Sequence, residues 1–159
     1  MGESFGPRRH TEAVVLNVYD LTPSNEYLYG LGLGFYHSGL VIYGREWTFG
    51  SGGGIFSTAP KEVPNAPFRE SIVLGTTKLG PSDVDRIIDK LRSTFPDGTY
   101  NLYKQNCNHF SEALAKQILK GGLPGWVNRM ATLGQMFSCL MPDDDAMGKA
   151  PVGGGSGSS

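Results

Sequence analysis

Between residues 13 and 75 the apolar positions come in short runs with a period close to two. In AVVLNVY (13–19), Val14, Leu16 and Val18 alternate with Val15, Asn17 and Tyr19, which predicts a strand covered on both faces. A second strand is predicted at about 36–43 (YHSGLVIY), and Gly44 turns it into a third at about 45–49 (REWTF). The run GSGGG at 50–54 reads as a turn, 55–57 as a short strand and 69–75 (RESIVLG) as another. Prolines at 60, 64 and 67 mark an extended connection between them. Residues 20–35, rich in Gly, Asn and Tyr, read as a loop.

The period changes after residue 80. Val84, Ile87, Ile88, Leu91 and Phe95 fall on one helical face. Pro81 suits the first helical position, Ser82 with Asp85 matches a capping box, and Pro96-Asp97-Gly98 stops the helix. A short strand at about 99–103 leads into a second helix over about 107–119. Its stripe is Cys107, Phe110, Leu114 and Ile118, with Gly121 suited to follow its end. A third helix is predicted at about 124–137, with Trp126, Met130, Leu133 and Phe137 inward. Strands first and helices after make an α+β fold, a small antiparallel sheet packed against helices.

Composition divides this chain into one folded domain with ends. Of 159 residues 23 are glycine and 10 proline, yet 39% are hydrophobic, too apolar for a disordered chain. Residues 1–12 read as a flexible arm, 13–141 as the domain, and 142–159, acidic and then GGGSGSS, as a flexible tail. Nine of the glycines lie between 30 and 54, around His37. A net charge of −1 with no basic stripe argues against nucleic acid as a partner. No apolar run approaches the roughly 18 residues of a membrane span, and the first ten residues carry no secretory pattern. Two cysteines build no disulfide scaffold, so a reduced cytoplasmic setting, with the nucleus as a second one, is expected. The oligomeric state is not legible.

Cys107 is the sharpest chemical feature. At a helix start, first-turn amides and the helix dipole favour a thiolate and can receive an oxyanion. A nucleophile needs a base. His10 lies in the arm. His109 is two residues from Cys107, about 200° around a helix, so it points elsewhere and reads as a surface or supporting histidine. His37, on a strand between glycines 34 and 39, remains, and its 70-residue separation (107 − 37) is no obstacle to spatial pairing. Cys107, His109, His37 and Cys139 lack paired metal-ligand spacings, so neither a metal nor another cofactor is expected. GSGGG opens no helix and no Lys-Ser/Thr follows it, so it is not a phosphate loop. Cys139, in MFSCLM, reads as packed.

The segments VVLNVYDL (14–21), FYHSGLVIYGREWTFG (35–50), GIF (54–56), IVLGTT (72–77), YKQNCNHFSEAL (103–114) and LPGWVNRMA (123–131) resemble the PPPDE family of deSI-type cysteine isopeptidases. The resemblance implies a permuted papain-like fold, with Cys107 as nucleophile and His37 as base in a dyad. It also implies removal of ubiquitin or SUMO from modified proteins, or cleavage of palmitoyl thioesters. Asn-Cys-x-His-Phe is also similar to the lecithin-retinol acyltransferase-like family, which acts on lipid esters. Those enzymes carry a polar residue that orients the base histidine, where Phe49 is expected here, and a membrane-anchoring end that this sequence lacks. Both departures favour the isopeptidase. A non-catalytic adaptor that binds a ubiquitin-like tail is the remaining alternative.

On this reading the Cys107 amide is one oxyanion donor, and Gln105, Asn106 and Asn108 are candidates for the second. With no polar orienter, packing or a backbone carbonyl must hold His37. Gly52, Gly53, Gly54, Trp47 and Phe49 are candidate linings of a groove for the Gly-Gly tail of a ubiquitin-like protein. Asp20, Glu26 and Glu46 are carboxylates able to meet an arginine in that tail.

Overall fold

The computed structural model describes residues 10–64 and 66–129. Five antiparallel strands form one sheet: β1 (Glu12–Asp20), β2 (Tyr36–Ile42), β3 (Arg45–Gly50), β4 (Gly54–Thr58) and β5 (Phe68–Thr77), in the order β4-β3-β2-β1-β5. The hydrophobic alternation places β1 well because β1 is an interior strand. It is flanked by β2 and β5, and Val14, Leu16 and Val18 are fully buried. The β2–β3 hairpin turns at Tyr43 and Gly44, both with positive φ, as a two-residue turn requires. The loop predicted at 20–35 contains a one-turn helix, α1 (Asn25–Leu28), followed by a 3₁₀ turn (Tyr29–Leu31).

Two longer helices pack on the sheet, α2 (Pro81–Thr94) and α3 (Cys107–Ile118). Val84, Ile88 and Leu91 of α2 and Phe110, Leu114 and Ile118 of α3 meet Leu40, Trp47 and Phe49 in the main core. Each fully buried aliphatic or aromatic side chain contributes about 1.5–3 kcal/mol there. Pro81 is the first residue of α2, but the capping box is shifted from the expected pair. Gly80 is the N-cap and its N–H donates to Asp83 Oδ2 at 3.2 Å, so Ser82 and Asp85 are not the box. The predicted strand at 99–103 is a single bridge, Asn101 to Gln105. The end of α3 also differs, because Leu119 caps it in an extended conformation and Gly121 lies beyond.

Of the third predicted helix, residues Gly125–Asn128 form a 3₁₀ turn. Trp126 packs edge-on against Tyr36, 4.9 Å between centroids, in a second small cluster with Leu16, Val18 and Val127. Met130, Leu133, Phe137 and Cys139 lie outside the described residues. Among the described residues, no helix is long and apolar enough to cross a membrane.

The break that makes a site lies between β2 and β3. Their pairing runs from Ile42–Arg45 to Leu40–Trp47 and stops, while β2 stays paired with β1 as far as Tyr36. Past Leu40 the β3-facing side of β2 is therefore free of strand, and the start of α3 meets it there. The Ser38 hydroxyl donates to Asn108 Oδ1 at 2.6 Å and is 2.9 Å from Ser111 Oγ, both on α3.

Candidate active site

The start of α3 is fixed by a reciprocal cap. The Asn106 side chain accepts from the N–H groups of Asn108 (2.9 Å) and His109 (3.0 Å), and His109 Nδ1 accepts from Asn106 N–H at 3.0 Å. Cys107 is thus the first helical residue, where a backbone N–H has no partner within the helix. His109 is occupied by the cap. Burial, opposed by the nearby Glu112 carboxylate, holds its pKa below the usual histidine range.

Cys107 and His37 come together, within hydrogen-bonding reach of one another. Burial alone would push the Cys107 thiol up. The charge and hydrogen bond of His37, a hydrogen bond from the Ser38 backbone and one from the Tyr100 hydroxyl outweigh it, so the net direction is down. Burial would likewise lower His37. The charge and hydrogen bond of Cys107 and the charge of Glu46 outweigh it, and the imidazole is raised. The two shifts together favour a thiolate–imidazolium pair.

The imidazole has a polar orienter. Thr48 Oγ1 donates its single hydrogen to Ser38 O at 3.0 Å, so it meets His37 Nε2, 3.2 Å away, as an acceptor. In the neutral ring this puts the hydrogen on Nε2 and leaves Nδ1 as an acceptor. The expectation that Phe49 occupies this place is corrected by strand alternation. Phe49 turns into the core against Phe95, 5.3 Å between centroids, while its neighbour Thr48 faces the histidine.

Behind His37 lies a closed carboxylate. Glu46 is fully buried and accepts from Asn17 Nδ2 (2.7 Å), Tyr19 OH (2.7 Å) and Lys61 N–H (2.8 Å). Tyr19 in turn packs its ring 5.7 Å from the His37 ring. Gly39 is required here, since a Cβ would overlap the Glu46 side chain. Glu46 is thus enclosed by its own donors and is no contact for a substrate arginine. Asp20 is likewise engaged, with Arg69 at 3.1 Å and Asn25 Nδ2 at 2.8 Å.

The three candidate second oxyanion donors are all occupied elsewhere. Gln105 Nε2 donates to Thr94 O and Thr99 Oγ1. Asn106 Nδ2 donates to Leu102 O and Asn128 Oδ1. Asn108 Nδ2 donates to Tyr36 O and Val127 O, inside the protein. Of the groove candidates, Trp47 and Phe49 are core residues. Gly52 and Gly53 have open space around them in the β3–β4 turn, and Gly54 faces the backbone of Asp97.

Sequence reasoning missed Tyr100, whose hydroxyl lies 3.9 Å from Cys107 Sγ. It also missed Thr48 and the tie from Ser38 to Asn108. Strand parity from His37 would have flagged Thr48. Tyr100 sits in an irregular segment with no period to read.

A thiol on the first turn of a helix facing an imidazole on a strand is the arrangement of papain-like Cys–His hydrolases. Residues 12–145 match the family model described as "PPPDE putative peptidase domain", and the chain belongs to that family. It is 40% identical over 134 residues to a DeSI-like protein of Arabidopsis thaliana, covering 82% of this chain and 60% of the relative. It is 37% identical over 137 residues to the desumoylating isopeptidase 1 homolog of Caenorhabditis elegans, covering 81% and 41%. With human desumoylating isopeptidase 1 the identity is 29% over 153 residues, covering 90% of each. The chain thus spans less than two thirds of the length of the plant and nematode relatives.

The pairing predicts a pH profile. A depressed thiol pKa keeps thiolate present below the ordinary cysteine value of about 8.5, and it is lost as pH falls through the depressed pKa. Alkylation of Cys107 by iodoacetamide should therefore reach half its maximal rate below pH ~8.5. In His37→Ala the charge and hydrogen bond of the imidazole, the largest influences opposing burial, are gone, and the midpoint should move up. A midpoint that does not move would separate His37 from the thiol.

Proposed function

We propose that this protein is a cysteine isopeptidase that removes SUMO from lysine side chains, with Cys107 as nucleophile and His37 as acid and base. The observation that carries the reading is the placement of Cys107 on the first turn of α3 against His37, whose Nε2 is held by Thr48. The names of the nematode and human relatives favour SUMO over ubiquitin as the modifier.

In the reaction His37 Nδ1 takes the thiol proton, and Sγ attacks the carbonyl carbon of the modifier's terminal glycine. The carbonyl electron pair moves to oxygen, beside the N–H of Cys107, which has no partner within the helix. As the oxyanion collapses, the carbon–nitrogen bond breaks and the imidazolium proton goes to the leaving lysine amine. Water, deprotonated by His37, then attacks the thioester, releasing the glycine carboxylate and restoring the thiol. A free thiol nucleophile suits the reducing cytoplasm or nucleus, where we place the activity.

The test is hydrolysis of three substrates in parallel: a SUMO–lysine isopeptide, a ubiquitin–lysine isopeptide and a palmitoyl-cysteine thioester. The SUMO conjugate is expected to be cleaved at least tenfold faster than the others. Preference for ubiquitin would change the modifier, and preference for the thioester would replace the isopeptidase reading with a depalmitoylase.

A further inference from the structure

We propose that the Tyr100 phenol is a catalytic residue, the second donor to the oxyanion formed on the carbonyl that Cys107 attacks. This rests on the Cys107–His37 reading. The need arises because the Cys107 N–H is one donor, and the side-chain amides of Gln105, Asn106 and Asn108 are all committed to the protein. Tyr100 stands in the connection between α2 and α3, with its hydroxyl directed at Cys107 Sγ, 3.9 Å away. The Cys107 backbone N–H also donates toward the phenol oxygen. The hydroxyl thus borders both the nucleophile and the first donor.

An oxyanion site must lie about 3 Å from both nucleophile and donors. A hydroxyl 3.9 Å from sulfur leaves such a point between them. An entering carbonyl oxygen replaces the phenol on the Cys107 amide and accepts the phenol hydrogen in its place. As the Sγ–C bond forms, the carbonyl π pair becomes the oxyanion lone pair, held by two hydrogen bonds with no proton leaving Tyr100. When the carbon–nitrogen bond breaks, the pair returns to the carbonyl and the phenol resumes its resting contact.

Two features suit the group to this task. Its ring is held by Phe49, 5.4 Å between centroids, so the hydroxyl is placed by the core. Burial, then the charge and hydrogen bond of Cys107, push its pKa well above the usual tyrosine range. It therefore keeps its hydrogen at every pH where the dyad is paired.

A rival role is that Tyr100 acts only by stabilising the thiolate, and two reagents separate the roles. Acylation of Cys107 by p-nitrophenyl acetate passes through an oxyanion; alkylation by iodoacetamide does not. Tyr100→Phe keeps the ring on Phe49 and removes the hydroxyl. Acylation and SUMO–isopeptide hydrolysis are expected to fall by about 10²-fold, the usual loss for one such donor. Alkylation, compared at equal thiolate fraction, should stay within about twofold, which also reports an intact site. Equal falls in acylation and alkylation, or no fall in either, would overturn the proposal. If Cys107→Ala leaves hydrolysis intact, the dyad itself is wrong, a result that Tyr100→Phe cannot mimic.

Discussion

Cys107→Ala is expected to abolish cleavage of a SUMO–lysine isopeptide, by about 10⁴-fold or more, while the protein stays folded. The size of the effect follows from covalent catalysis. Without sulfur there is no acyl-enzyme, and the remaining donors and imidazole act only on bulk water. Removing the nucleophile from such a unit costs about as much as removing the whole unit. The fold should tolerate the change because alanine is a good helix former at the first position of α3. Asn106 still caps that helix through Asn108 and His109, independently of residue 107. The check is steady-state hydrolysis beside a thermal melt. Cys107→Ala with hydrolysis within tenfold of the parent would refute the nucleophile assignment.

Asn108→Ala is expected to lower the unfolding free energy by about 3 kcal/mol, read as a lower urea midpoint with an unchanged slope. The Asn108 side chain is buried and joins three segments. It accepts from Ser38 Oγ of β2 and donates to Tyr36 O of the same strand and to Val127 O of the last 3₁₀ turn. Alanine leaves two carbonyls unmet and the Ser38 hydroxyl with Ser111 Oγ alone, at about 1–3 kcal/mol for each buried group that stays unsatisfied. Against a total stability of about 5–15 kcal/mol, that loss is large. The experiment also decides between roles. An oxyanion donor would, when removed, leave the urea midpoint in place and lower only turnover, whereas a structural tie moves the midpoint.

The sequence was most legible where one physical rule acted alone. Period-two alternation located β1 because that strand is sandwiched on both edges, and the 3.6 period located α2 and α3 because each buries one face. The proposed pairing of Cys107 with His37 was legible for a related reason, since each lies in regular structure whose ends are marked by Asn106 and by glycine. The unread parts depend on tertiary placement. Thr48 faces His37 only because β2 and β3 part company after Leu40 and Trp47. Glu46, by its charge alone, reads as a surface residue, yet Asn17, Tyr19 and the Lys61 backbone enclose it. The amides near Cys107 looked available because chemical ability is visible in sequence and prior commitment is not. Asn106 and Asn108 are spent on holding α3 in place.

The order of the strands and helices carries a consequence for synthesis. β2 supplies the imidazole, and α3, after the three strands β3, β4 and β5 and the helix α2, supplies the thiol 70 positions later (107 − 37). At about 5–20 residues per second on the ribosome, roughly 4–14 s separate the two halves. During that interval the emerging chain holds a base with nothing to activate. The proposed dyad can first exist when α3 docks, so a chain made only as far as α2 has no means of attacking the modified proteins around it.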